Sequence, residues 1–326
     1  MNEIQFEAAH EDEWRALQGA LARPKKGAVA EVPAREVPRR FRRVVAELAL
    51  ARDRQYRTSL IDRLHSLVIA AHFAVHGARA QRGHGSFSAL WHFFTAEVPS
   101  RTRAEWRFVL AAALAFFVPF LGLIAALQWY PDFVYYLVAP DTLARVQSMY
   151  APGNAAFGPG REAPTDTLMF GFYIANNVRI DLQSLAGGIF FGLGTLASLI
   201  FNGTFLGAVA GHLTHVGYGE NFWGFVAGHS APELFGLVLA GAAGLRIGYA
   251  LVAPGRQSRA AALRSAGRPA AVLLYGAAML TVGAAFIEAF WSSRVSIPFE
   301  VKIAFGVMVA LVTLLYFAFG GRAREP

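Results

Sequence analysis

The sequence has no cysteine among its 326 residues and carries charge on only 16% of them. The first absence excludes disulfides, thiol nucleophiles and cysteine-held zinc or iron–sulfur sites. The second sets the chain apart from soluble domains, where about 25% of residues are charged. Hydrophobic residues make up 55% of the chain and the mean hydropathy is +0.38. One soluble domain of this length would leave too much apolar surface in water. A wholly soluble enzyme, a disordered chain, a collagen and a disulfide scaffold are all set aside. Residues 1–20, MNEIQFEAAHEDEWRALQGA, lack the apolar run and cleavage site of a signal peptide, so the N-terminus is expected in the cytoplasm.

What charge there is lies unevenly. Residues 1–107 hold 18 of the 30 Lys and Arg and 12 of the 22 Asp and Glu. A charged front third thus precedes an apolar remainder. The net charge of +8 in so apolar a chain points to basic segments beside a membrane, and nucleic acid is not an expected partner.

The pattern predicts an all-α protein, a polytopic transmembrane helix bundle with an N-terminal cytoplasmic helical domain. In that domain, residues 1–107, Trp14, Leu17 and Leu21 share one helix face. Phe41, Val44, Val45 and Leu48 mark a second helix, and Leu60, Leu64, Leu67, Val68 and Phe73 a third, the last two forming a hairpin. Arg and His-rich 79–84 closes it, and SFSALWHFFT at 86–95 reads as an interfacial helix. Residues 108–326 form the bundle. A crossing takes about 20 mostly apolar residues, and five runs qualify. They are Phe108 to Tyr130, Leu185 to Ala210, Pro232 to Val252, Pro269 to Phe290 and Ile303 to Phe319.

Five crossings conflict with the charge bias. Arg101, Arg103 and Arg107 hold the start of the first span inside, and the loop 131–184 is then external. Yet Arg322 and Arg324 after the last span, and Arg256, Arg259, Arg264 and Arg268 in the loop 254–268, also belong inside. Either one end breaks the bias, or residues 203–230, which have no basic residue, hold a sixth, polar crossing or a re-entrant segment.

Ionisable groups at membrane depth are costly and face a bundle interior. Glu233, Arg246 and Glu288 are such groups, joined by Asn176, Asn177, Arg179, Asn202, His212 and His229. One reading is helix–helix adhesion, with Glu and Arg neutralising each other; others are a solute path or a metal site. His212-x-x-His215 and His229-x-x-x-Glu233 have ligand-compatible spacing, but HExxH is missing and Pro232 intervenes. His72 and His76 are read as ordinary histidines of the front third. No catalytic residue, metal or cofactor is assigned: the P-loop, the dinucleotide fingerprint and the G-x-S-x-G elbow are all absent. Gly188 and Gly192, Gly203 and Gly207, and Gly241 with Gly244 read as small-residue contacts between membrane helices.

These residues carry a family likeness. FGFYIANNVRIDLQSLAGGIFFGLGTLASLIFNGTFLGAVAGH at 170–212 and GFVAGHSAPELFGLVLAGAAGLRIGYALVAPGRQSR at 224–259 resemble the stage II sporulation protein M family. The matching positions are Asn176-Asn177, Gly187-Gly188, Asn202-Gly203, Gly207, Gly228-His229, Glu233-Leu234 and the Ala-Gly-Leu at 243–245. AAFIEAFWS at 284–292 resembles the family's closing motif, centred on Glu288. The front third resembles the longer branch found in bacteria that do not form spores. The resemblance implies a bacterial cytoplasmic (inner) membrane protein that anchors peptidoglycan-processing partners, with no chemistry of its own. In the longer branch it implies links to RDD-type membrane proteins and AAA-type ATPases. The expected function is therefore an integral membrane scaffold of an envelope complex. A proton-coupled transporter or channel and a membrane-embedded metal-dependent hydrolase are the alternatives. Expected partners are the lipid bilayer and other membrane or envelope proteins, with a homo-oligomer among the assemblies considered.

Overall fold

The computed structural model describes residues 3–21, 36–72, 86–154, 157–158 and 165–322. Phe73, His76, Arg161, Arg324 and the Arg/His segment 79–84 lie outside the described residues. Twelve α-helices and no strand occur among the described residues, so the all-α expectation holds. The chain divides into two units, Met1–Ala89 and Leu90–Pro326.

The first unit contains α1 (Glu3–Leu21), α2 (Val37–Asp53) and α3 (Thr58–His72). Leu60, Leu64, Leu67 and Ala71 recur at steps of four and three, and Val44, Leu48 and Ala51 do the same. Both stripes pack with Phe6, Trp14 and Leu17 of α1 into one core. Val45, expected on the apolar face, is 40% exposed. The Trp14 indole donates to the buried Glu47 carboxylate at 2.7 Å, so neither polar group is buried alone. Charge clamps α1 to α3. Arg63 grips Glu11 with two bonds of 2.7 and 2.9 Å, and Arg57 binds Glu3 and Glu7.

The second unit opens with the rest of α4 (Ser86–His92), a π-helical turn at Phe93–Glu97 and α5 (Val98–Ala104). Phe87, Leu90 and Trp91 on α4 are exposed, as an interfacial helix requires. Next come α6 (Trp106–Trp129), α7 (Pro140–Met149), α8 (Asp166–Ala186), α9 (Leu193–His215), α10 (Gly219–Val252), α11 (Arg259–Ile287) and α12 (Phe299–Phe319). Five helices are long and apolar enough to cross a membrane: α6, α9, α10, α12 and α11 with the π-helical turn Glu288–Ser292. The polytopic bundle expected from the sequence is present.

Two expected boundaries move. Leu185–Ala210 is no single span. The chain breaks at 187–192, with Gly192 at φ +84°, in the left-handed region that glycine adopts at no steric cost. Gly188, in a 3-10 turn at 187–189, and Gly192 therefore lie outside the α-helices, and their GxxxG spacing is not α-helical. Gly188 instead rests on the Gly244 backbone, where a Cβ would meet the carbonyl oxygen at 2.2 Å. The second change concerns 203–230. It holds neither a separate crossing nor a re-entrant loop, but completes α9, turns at 216–218 and starts the 34-residue α10. Pro232 lies inside that helix, buried, where neighbouring helices tolerate the lost N–H.

A sixth helix, α8, from the segment expected as a loop, also runs between the two ends of the bundle. The reason is the direction of α9. Gly203, Gly207 and Gly211 face Phe116, Phe120 and Ile124 of α6, so the two helices run parallel in constant register. Parallel neighbours need a return path, and α8 supplies it. Its 21 residues rise about 31 Å, close to the hydrocarbon thickness. One end of α8 is tied to the far side by Arg294 and Asp166 at 2.6 Å. The other is tied to the start of α9 by Thr195, which donates to the Ser184 carbonyl at 2.7 Å.

Six helices thus connect two ends of the unit. At one lie Arg101, Arg103, Arg107, Arg246 and the basic stretch 256–268. Here Arg103 donates to the Phe317 and Gly320 carbonyls, and Arg246 meets Glu105 at 3.4 Å. The other end carries Asp132, Asp141, Asp166, Glu220 and Glu300. Six passages bring both basic flanks to one end, which five could not do.

Two results are expected. A Cβ at Gly207 would fall 2.5 Å from the Phe120 carbonyl, whereas one at Gly122 meets nothing within 4 Å. Gly207→Leu should therefore destabilise the bundle by about 1–3 kcal/mol or more, while Gly122→Ala should leave detergent melting unchanged or raised. In the first unit, hydrogen bonds from Arg63, then from Arg15, hold the Glu11 carboxyl down at about 2. A depressed folded pKa adds stability that is complete above the unfolded carboxylate range and lost as pH falls toward that value. Acid titration followed by hydrogen exchange in α1 should show this loss, reduced by salt and absent in Glu11→Gln.

Candidate functional site

The polar interior is built largely by α8 and by the junction of α10 with the end of α11. Met169, Tyr173, Asn177, Asp181 and Ser184 are the buried residues of α8. Their steps of four, four, four and three make one face, apolar at the start and polar toward the end. Asp181 accepts a hydrogen bond from Thr281 of α11 at 2.7 Å. Ser184 shares a 2.8 Å bond with Ser198 of α9. Asn176 donates to its neighbour Asn177 at 3.0 Å.

Nearly three turns past the α10 N-terminus the second group begins. His229 is 4% exposed and Glu288 6%; Glu233 is half-buried. His229 and Glu233 stand one turn apart on α10, with Nε2 and Oε2 3.8 Å apart. Glu288 opens the π-helical turn that ends α11. One ligand atom from each of the three lies within 4.8 Å of the others. The His229 Nδ1 is 2.9 Å from the Ser292 hydroxyl, and the Ser292 carbonyl accepts from the buried Lys302 ammonium of α12 at 2.9 Å. Lys302 also lines a pocket of about 360 Å³ at the acidic end, together with Asn154, Glu220, Asn221, Gly224 and Phe299.

Of the residues singled out from the sequence, the fold brings His229, Glu233 and Glu288 together. It separates the others. His212 bonds Gln147 at 2.8 Å near the acidic end, so it does not join His229 in a ligand set. Arg246 pairs with Glu105 and lies over the Phe108 ring. It neutralises neither Glu233 nor Glu288, because thirteen residues of helix, about 20 Å, separate it from Glu233. The Asn202 side-chain amide donates to the Ser198 carbonyl of its own helix at 2.8 Å, and Arg179 is exposed. Asp181, Thr281, Ser292 and Lys302 escaped the sequence reading. The stripe 169, 173, 177, 181, 184 was a usable signal for Asp181, masked by the assignment of that segment to a loop.

A family profile described as Stage II sporulation protein M matches residues 108–293, more than half of the chain. The chain belongs to the stage II sporulation protein M family. The family match covers α6 to α11 and the π-helical turn, and so includes α8 and all three clustered residues. A second profile, a domain of unknown function (DUF8413), matches residues 4–77, which hold the three-helix unit. No curated protein and no solved structure matches the chain.

Thr281→Val tests the polar face of this family member. It removes the donor to buried Asp181 at nearly constant volume. It should lower bundle stability by about 1–3 kcal/mol, whereas Thr281→Ser should retain most of it, as read by thermal unfolding in detergent.

Proposed function

We propose that this protein is a non-enzymatic, multi-pass component of the bacterial cytoplasmic membrane that anchors an envelope complex. One observation carries the reading. The chain builds two separate units, a membrane bundle and a three-helix unit with its own core and ion pairs. Such a division suits a protein that holds a partner at a membrane. The exposed Arg39, Arg42 and Arg52 of α2, with Arg54 just after it, give the front unit a basic surface for an acidic partner or for anionic headgroups. Affinity purification in mild detergent should recover envelope proteins in stoichiometric amounts, and deletion of residues 1–85 should lose them. Repeated recovery of the chain alone would count against anchoring.

The same reading orients the bundle by the positive-inside bias: the basic end, where α6 starts and α12 stops, faces the cytoplasm, and the acidic end faces outward. The cysteine-free sequence permits a direct check. Single cysteines at Ser148 or Asn154 should react with a membrane-impermeant maleimide in intact spheroplasts. Those at Gln257 or Ser258 should react only after lysis. The opposite pattern would invert the orientation.

A further inference from the structure

We propose that His229, Glu233 and Glu288 form a binding site for one divalent transition-metal ion of the zinc, manganese or iron class, set within the membrane bundle. Three ligand-bearing side chains from two helical elements converge there, their donor atoms all within 4.8 Å of one another. The 3.8 Å between His229 Nε2 and Glu233 Oε2 is too long for a direct hydrogen bond. It is close to the roughly 3.4 Å that separates two atoms bound at about 2.1 Å to one tetrahedral ion.

The surroundings favour a ligand histidine. Nδ1 is engaged by the Ser292 hydroxyl, which leaves Nε2 as the ring atom directed at the carboxylate. Metal-bound histidines are held in this way by a partner on the other nitrogen. Ser292 is itself fixed, because Lys302 grips its carbonyl. The backbone adds an independent sign. Both Glu288 and Ser292 are buried within one π-helical turn at the end of a long α-helix, a distortion that recurs at functional sites.

Charge selects the ligand. Two carboxylates beside an imidazole in an apolar bundle are costly as anions, and a divalent cation neutralises both. An all-oxygen set would suit calcium or magnesium, but one imidazole with two carboxylates suits zinc, manganese or iron. The pocket at the acidic end, lined by Lys302 and by Gly224 five residues before His229, gives an approach. Binding at this site does not depend on any partner protein.

The test uses the full chain in detergent, purified through a tag without histidines, stripped with chelator and titrated separately with Zn²⁺, Mn²⁺ and Fe²⁺. Bound metal is counted by elemental analysis after dialysis. The wild type should keep about one equivalent of one of these ions. Glu233→Gln, Glu288→Gln and His229→Ala should each weaken binding by about tenfold or more, and Ser292→Ala by about tenfold. Glu47→Gln, which alters a buried acid of the three-helix unit, should bind as wild type. Wild-type protein that is monodisperse yet keeps less than about a tenth of an equivalent of every ion would overturn the proposal. So would wild-type affinity in all three ligand variants.

Discussion

The contact of α9 with α6 governs the bundle. Gly203, Gly207 and Gly211 present bare backbone to Phe116, Phe120 and Ile124. In lipid no hydrophobic force draws helices together, so close van der Waals approach has to do it. This approach is parallel, and parallel neighbours require the chain to return between them. A connecting segment can recross hydrocarbon only with its backbone hydrogen bonds made internally. The segment before α9 is therefore a helix, α8, although polar residues interrupt its apolar surface. Without the glycine seam, Asp166–Ala186 would have no reason to lie inside the bundle.

Once α8 is inside, its buried polar side chains need partners. Asp181 finds Thr281 and Ser184 finds Ser198, while the Ser184 carbonyl accepts from Thr195. The same logic separates the bundle's charges into two kinds. Arg246 sits at the basic end against Glu105, where its charge helps fix that end of the bundle. His229, Glu233 and Glu288 converge elsewhere, at the junction of α10 with the end of α11. The matched family region spans both α8 and this cluster, so the polar interior belongs to the part of the chain that defines the family.

Much of the fold was legible because membrane helices write length and apolarity directly into sequence. The five apolar spans, the three front helices and the exposed aromatic residues near 87–91 all follow from runs and spacing. Two things were hidden. A run of apolar residues does not show where a helix stops, so the Gly187–Gly192 break was absorbed into a span. Hydropathy also weighs residues without regard to face, so α8, buried on one polar stripe, read as a loop. The charge bias did register a conflict of parity, but the only segment it offered for an extra crossing was 203–230. For the site, His229, Glu233 and Glu288 stood out as polar groups in apolar runs. Ser292 and Lys302 did not, because their importance lies in what they orient, which only the packing of α10, α11 and α12 makes visible.

The parallel seam is open to a distance measurement in the cysteine-free chain. Spin labels on Trp106, Trp129 and Leu193, all exposed, give two pairs that share the label at the start of α9. If α6 and α9 run parallel, residue 193 lies beside residue 106 and a helix length from 129. The 106–193 distance should then be short and the 129–193 distance on the order of 30 Å or more. A short 129–193 distance with a long 106–193 distance would make the helices antiparallel. That result would remove the need for α8 to cross and contradict the six-helix arrangement.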